Sequence, residues 1–134
     1  MRLFISVFLC ISYISLAQNT QVKASDSISF NYTILAPEVG ESDVSVRGDT
    51  VSFTIFYVDA DCGDGYEYRF EKRPRELVIL RALLPEGRCS REDESLYGVK
   101  GALSGVPKGV YRFTLLTQTA VGTDAVFSEP IQVK

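Results

Sequence analysis

Val99 to Leu116 reads VKGALSGVPKGVYRFTLL, two segments whose apolar residues recur at every second position, meeting at the turn Ser104 to Gly109. A period of two places alternate side chains on opposite faces of a strand, whereas a helix needs a period near 3.6. The stretch therefore predicts the β-hairpin corner of an all-β domain, with arms at Leu96 to Leu103 and Val110 to Thr119.

The same alternation continues outward on both sides. Ile28, Phe30, Tyr32 and Ile34 form one face of a first strand that ends at Pro37 and Gly40. Val44 and Val46 lead into the turn Arg47-Gly48-Asp49. Val51, Phe53, Ile55 and Tyr57 follow, with Phe56 and Val58 on the other face, so a central strand is expected there. Tyr66, Tyr68 and Phe70 alternate with Glu67, Arg69 and Glu71, a strand with one solvated face. Glu76 to Leu83 is apolar enough for a further strand, and Ala125 to Val133 closes the chain, with Pro130 suited to an edge or a bulge. Seven or eight short strands separated by turn signals, without an amphipathic helix, predict a two-sheet antiparallel β-sandwich over residues 27–134.

From Leu96 onward the sequence resembles a fibronectin type III or related immunoglobulin-like sandwich. Leu103, Pro107, Gly109, Tyr111, Phe113 and Leu115 carry the resemblance, followed by Gly122-Thr123, Ser128-Glu129-Pro130 and Ile131-Gln132-Val133. The resemblance implies a structural corner in which the Tyr111 hydroxyl bonds back to backbone near Pro107. The buried tryptophan usual in such sandwiches is missing, because the chain has no Trp, and Phe53 or Phe56 must take that volume.

Residues 1–17 stand outside this pattern. Arg2, the apolar run Leu3 to Leu16 and the small-residue exit at Ala17 read as a cleaved secretory signal, and residues 18–26 as a flexible polar arm. The run is too short and too interrupted by Ser6, Ser12 and Ser15 for a spanning helix, and no membrane span is expected in the mature chain. A secreted, periplasmic or cell-surface location follows. Cys10 leaves with the signal, so Cys62 and Cys89 remain for one disulfide in an oxidising compartment, contributing about 3 to 3.5 kcal/mol by the loop-entropy model. Arg2 also leaves, and 13 of the 14 basic residues then face 17 acidic ones. That balance offers no basic footprint for nucleic acid.

If successive strands run up and down, the loops at 59–65, 85–95 and 120–124 fall at one end of the sandwich. Cys62 and Cys89 then share a pole, as a disulfide requires. The pole gathers Asp59, Asp61, Asp64, Arg88, Arg91, Glu92, Asp93, Glu94 and Asp124 as a candidate binding surface. Asp59, Asp61 and Asp64 in DADCGDG are candidate calcium ligands, although Gly63 occupies the place of a fifth-position ligand in the EF-hand register. The expectation is a disulfide-tethered acidic loop with no cofactor, and calcium is the alternative.

Catalysis is not expected. The chain has no histidine, which removes His-based nucleophilic and zinc sites, and neighbouring carboxylates such as Glu92, Asp93 and Glu94 usually form a solvated loop. Asn31-Tyr32-Thr33 is a glycosylation sequon on the outward set of the first strand. Tyr57, Tyr66, Tyr68, Tyr97 and Tyr111 are expected to pack inside, with a carbohydrate platform of Tyr66 and Tyr68 as the alternative. The uncharged strand SISFNYTIL can instead add to a neighbour's sheet. The functional expectation is an exported, non-catalytic module that binds another protein or itself. The alternatives are a surface subunit assembling by strand exchange and a small inhibitor or ligand-binding domain.

Overall fold

A computed structural model describes residues 27–90, 92–119 and 122–134, so the signal and the polar arm lie outside the described residues. The described residues form eight strands: β1 (Ser29–Leu35), β2 (Asp43–Arg47), β3 (Thr50–Ala60), β4 (Tyr66–Arg73), β5 (Glu76–Leu83), β6 (Glu94–Ser104), β7 (Gly109–Thr119) and β8 (Gly122–Val133). They make two four-stranded sheets, in the orders β1-β6-β3-β2 and β4-β5-β7-β8. The chain is a β-sandwich, as the period-two pattern predicts.

Phe53, Ile55 and Tyr57 of β3 face Leu77 and Ile79 of β5, with Val99 and Leu103 of β6 and Phe113 and Leu115 of β7 completing the core. β3 lies inside its sheet, and on its outer face Phe56 is partly covered by the segment carrying Gly40 and Ser42 while Val58 remains exposed. Phe53, not Phe56, takes the interior volume, its ring tilted against Phe113 at 5.1 Å and stacked on Phe30 at 6.4 Å. Phe56 turns outward, where the Ser42 hydroxyl accepts from its N–H at 3.0 Å and donates to its carbonyl at 3.2 Å. Gly101 is required here, since a Cβ would stand 2.5 Å from the Phe53 ring.

The hairpin expected of β6 and β7 is corrected. β6 pairs with β1 and β3, and β7 with β5 and β8, so the turn between them crosses from one sheet to the other. Both arms carry an apolar face, and placing them in opposite sheets buries both. The corner itself forms as the resemblance implies: the Tyr111 hydroxyl donates to the Pro107 carbonyl at 2.8 Å, and buried Val106 donates its N–H to the Asp49 carbonyl.

Among the described residues, β5 and β7 form the parallel ladder and the other five ladders are antiparallel. Strict up-and-down order makes odd-numbered strands run the same way, so two odd strands that become neighbours must pair in parallel. Their connection passes through β6 in the opposite sheet. Pro130 lies on β8, an edge strand, where a missing N–H costs no ladder bond.

Candidate functional site: the disulfide pole

The end of β3, the start of β4, the end of β5 and the start of β6 meet at one pole, as the pairs Ala60 with Glu94 and Tyr66 with Leu83 require. β7 ends there too, its Gln118 side chain accepting from the Leu83 N–H at 2.9 Å. Cys62 and Cys89 are bonded, with Cα atoms 4.0 Å apart. Backbone bonds add to that tie, from Asp61 N–H to the Asp93 carbonyl at 2.9 Å and from Ser90 N–H to the Asp61 carbonyl at 2.8 Å. Gly65 and Gly87 meet backbone to backbone, and a Cβ on Gly87 would stand 2.1 Å from the Gly65 carbonyl oxygen. The two loops thus form a fixed platform.

Beneath the platform the core changes character. Arg81 of β5 is fully buried, with its Nη2 3.0 Å from the Asp59 carboxylate and 3.5 Å from the Cys62 sulfur. Its guanidinium lies 4.7 Å from the Tyr97 ring centre, 5.7 Å from Tyr66 and 5.8 Å from Tyr57. Nε and Nη1 have no hydrogen-bond partner among the described residues, and the facing aromatic π clouds supply the remaining attraction to the cation. Tyr57 and Tyr68 share a hydroxyl bond of 2.6 Å. The Tyr97 hydroxyl donates to the Ala60 carbonyl at 2.7 Å and accepts from Cys62 N–H at 2.9 Å, coupling this layer to the disulfide.

These contacts fix protonation. Burial pushes the Tyr57 phenol up to about 12, against the smaller opposing pull of the Tyr68 bond and the Arg81 charge. Burial also raises Tyr68, reinforced by the neighbouring Tyr57, and raises Tyr66, reinforced by Tyr97. Tyr57, Tyr66 and Tyr68 are all shifted away from ionisation, so these three phenols stay neutral beside the guanidinium.

The acidic residues divide between two sides of the pole. Asp59 points inward: one oxygen binds Arg81 and the other accepts from Ala60 N–H at 2.8 Å. Asp61 is half-buried and accepts from Gly63 N–H at 2.9 Å, whereas Asp64 is exposed. The structure does not gather these three candidate calcium ligands, because Asp59 is held by the core cation. No group of three or more His, Cys, Asp or Glu side chains fit for a metal occurs among the described residues. Glu92, Asp93 and Glu94 are exposed, with Ser90 Oγ accepting from the N–H groups of Glu92 and Asp93. Asp124 is exposed on β8 beside Thr117, Arg88 folds back onto the Gly87 carbonyl, and Arg91 lies outside the described residues.

Tyr68 is buried and Tyr66 stands edge-on to it at 5.7 Å, so the two do not form an exposed stacking platform. An open cleft of about 190 Å³ does lie beside the platform, lined by Ile34, Pro37, Asp61, Tyr66 and Leu96. Asn31 is exposed on the outer face of β1.

Sequence reasoning missed Arg81 as the centre of this layer. The signal was present in parity: Arg81 follows Leu77 and Ile79 at even spacing on β5, and Asp59 follows Ile55 and Tyr57 on β3, so both belong to inward sets. No family model, curated protein or solved structure matches the chain. Fold and site define an all-β, two-sheet sandwich with one disulfide; no helix among the described residues is long and apolar enough to cross a membrane.

Proposed function

We propose that this chain is an exported, non-catalytic recognition module whose disulfide pole binds a basic surface on a partner protein. The observation that carries the reading is the division of the pole's acids. Asp59 is spent on the buried cation, while Asp61, Asp64, Glu92, Asp93, Glu94 and Asp124 stand on or beside loops tied by a disulfide and two backbone bonds. Such loops lose little entropy when they bind, so surface charge translates into attraction and orientation. The adjoining cleft suits one partner side chain, with Asp61 at its rim and Tyr66 and Leu96 as apolar walls.

Export is supported by the apolar leader and by the disulfide, which persists in oxidising compartments. The absence of histidine and the sealing of the perturbed tyrosines inside the core support a non-catalytic role.

The test is site-specific photocrosslinking in the native host, with the probe at Ser95 in every variant. Asp61→Asn/Asp64→Asn should lose the crosslinked species seen with the otherwise unchanged chain, whereas Glu67→Gln/Glu71→Gln on β4 should retain it. An unchanged crosslink pattern in the pole variant overturns the proposal.

A further inference from the structure

Among the described residues, β1 and β2 end one sheet and β4 and β8 end the other. Free edges expose unpaired backbone N–H and C=O groups, and stable monomers blunt them with charge, proline, bulges or short length. β2 has five residues and carries Asp43 and Arg47. β4 carries Glu67, Arg69, Glu71, Lys72 and Arg73. β8 carries Asp124, Glu129 and Pro130, with an irregularity opposite Leu115 and Leu116. β1, SFNYTIL, has no charge, no proline and an unbroken seven-residue register with β6.

We propose that the free edge of β1 is a self-association site, at which two copies of the chain pair β1 with β1 antiparallel about a two-fold axis. The two outer sheets then become one continuous sheet. The edge reaches the pole at Ile34, which also lines the cleft beside Asp61, but the proposal rests on pairing along β1 and does not depend on what the pole binds.

Three observations favour a second copy as the occupant. Centred on Tyr32, antiparallel self-pairing sets Phe30 against Ile34, Asn31 against Thr33 and Tyr32 against Tyr32, so inward residues meet inward residues and no charge meets its like. Ile34 is 53% exposed in the single chain, and this register covers it with the partner's Phe30. The antiparallel arrangement also sends the two acidic poles to opposite ends of the joined sheet, which keeps the most strongly like-charged surfaces apart.

The geometry points to addition rather than exchange. β1 is fastened to its own sandwich by Tyr32 against Tyr68 at 5.3 Å, Phe30 against Phe70 at 6.3 Å, and the Tyr68 N–H donating to the Tyr32 hydroxyl at 3.4 Å. Leaving would expose aromatic surface on both sheets, whereas edge pairing keeps every such contact.

The test is sedimentation velocity of the full exported chain from low to high micromolar concentration, with folding checked by circular dichroism. Asn31 and Thr33 are both exposed on the outer face, so charge placed there leaves the core intact. Wild type should move reversibly from monomer to dimer. Asn31→Lys/Thr33→Lys should weaken the dimer by about tenfold or more, because like charges face each other twice across the axis. Asn31→Lys/Thr33→Glu should restore it, since the same axis pairs Lys with Glu. Asn31→Gln, which removes the sequon without adding charge, should match wild type. A monomer at every concentration, a dimer indifferent to the Lys pair, or a dimer that separates only after unfolding overturns the proposal. The last outcome assigns the assembly to strand exchange. Asp61→Asn/Asp64→Asn should leave the dimer unchanged, so failure of the pole reading is separately visible.

Discussion

Changing Asp59 to Asn is expected to destabilise the protein more than changing Arg81 to Met, although Arg81 is the larger and more deeply buried residue. Asp59→Asn leaves the guanidinium fully buried without its anion, when two of its nitrogens already have no hydrogen-bond partner among the described residues. An uncompensated buried charge costs about 3 to 5 kcal/mol. Arg81→Met removes the desolvated cation and its unpaired donors together and keeps an unbranched side chain against Tyr57, Tyr66 and Tyr97. The losses are three cation–π contacts, about 0.5 to 2 kcal/mol each, offset by several kcal/mol of relieved desolvation. Asp59, with 19% of its side chain exposed, can turn towards water. A net cost of about 0 to 2 kcal/mol follows for Arg81→Met, and the double variant should resemble it. Urea melts followed by far-ultraviolet circular dichroism measure all three. If Arg81→Met costs as much as Asp59→Asn, the tyrosine cage and not the carboxylate satisfies the cation, and the division of the acidic residues loses its basis.

Alkaline titration tests the same layer from the proton side. The unfolded chain ionises Tyr57 near 10 and the folded chain near 12, so the unfolded state binds fewer protons between these values. The stability that the Tyr57 proton contributes is therefore complete below about pH 10 and should fall by about 2 to 3 kcal/mol as pH rises to 12. Tyr57→Phe should flatten that decline. Replacing Cys62 and Cys89 together by Ala should cost on the order of 3 kcal/mol in a urea melt, and a much smaller loss would mean that the backbone bonds alone hold the loops. Gly87→Ala places a Cβ against the Gly65 carbonyl, backbone against backbone, and should cost about 2 kcal/mol or more; a neutral result would show that the loops separate freely.

Most of the fold was legible because period-two alternation is a local property. A strand with one buried face must alternate, and β1, β3, β4 and β6 each do so over most of their length. Which strands pair is not local, and there the sequence said less. The arms flanking Pro107 look alike whether they form a hairpin or cross between sheets, since both arrangements bury the same alternate residues. Likewise, nothing in ELVILRAL sets β5 beside β7 in parallel; that neighbour follows from packing across the second sheet.

The pole was legible as a place and obscure as a mechanism, and the reason lies in how charge is read. Glycine and aspartate in DADCGDG signal a tight, solvated loop, and on that reading Asp59 belongs with Asp61 and Asp64. Strand parity says otherwise, because β3 runs through Asp59 to Ala60 and Asp59 falls on the inward set with Tyr57 and Ile55. The same parity sends Arg81 inward with Ile79 and Tyr97 inward with Val99. Three inward sets from three strands in two sheets must converge for the cation to find both its carboxylate and its aromatic walls. A one-residue slip of β3 would turn Asp59 outward and leave Arg81 buried without an anion, a cost of about 3 to 5 kcal/mol. The ion pair thus adds little to stability relative to an apolar core but penalises the wrong register heavily. It aligns the strands from which the acidic platform is hung.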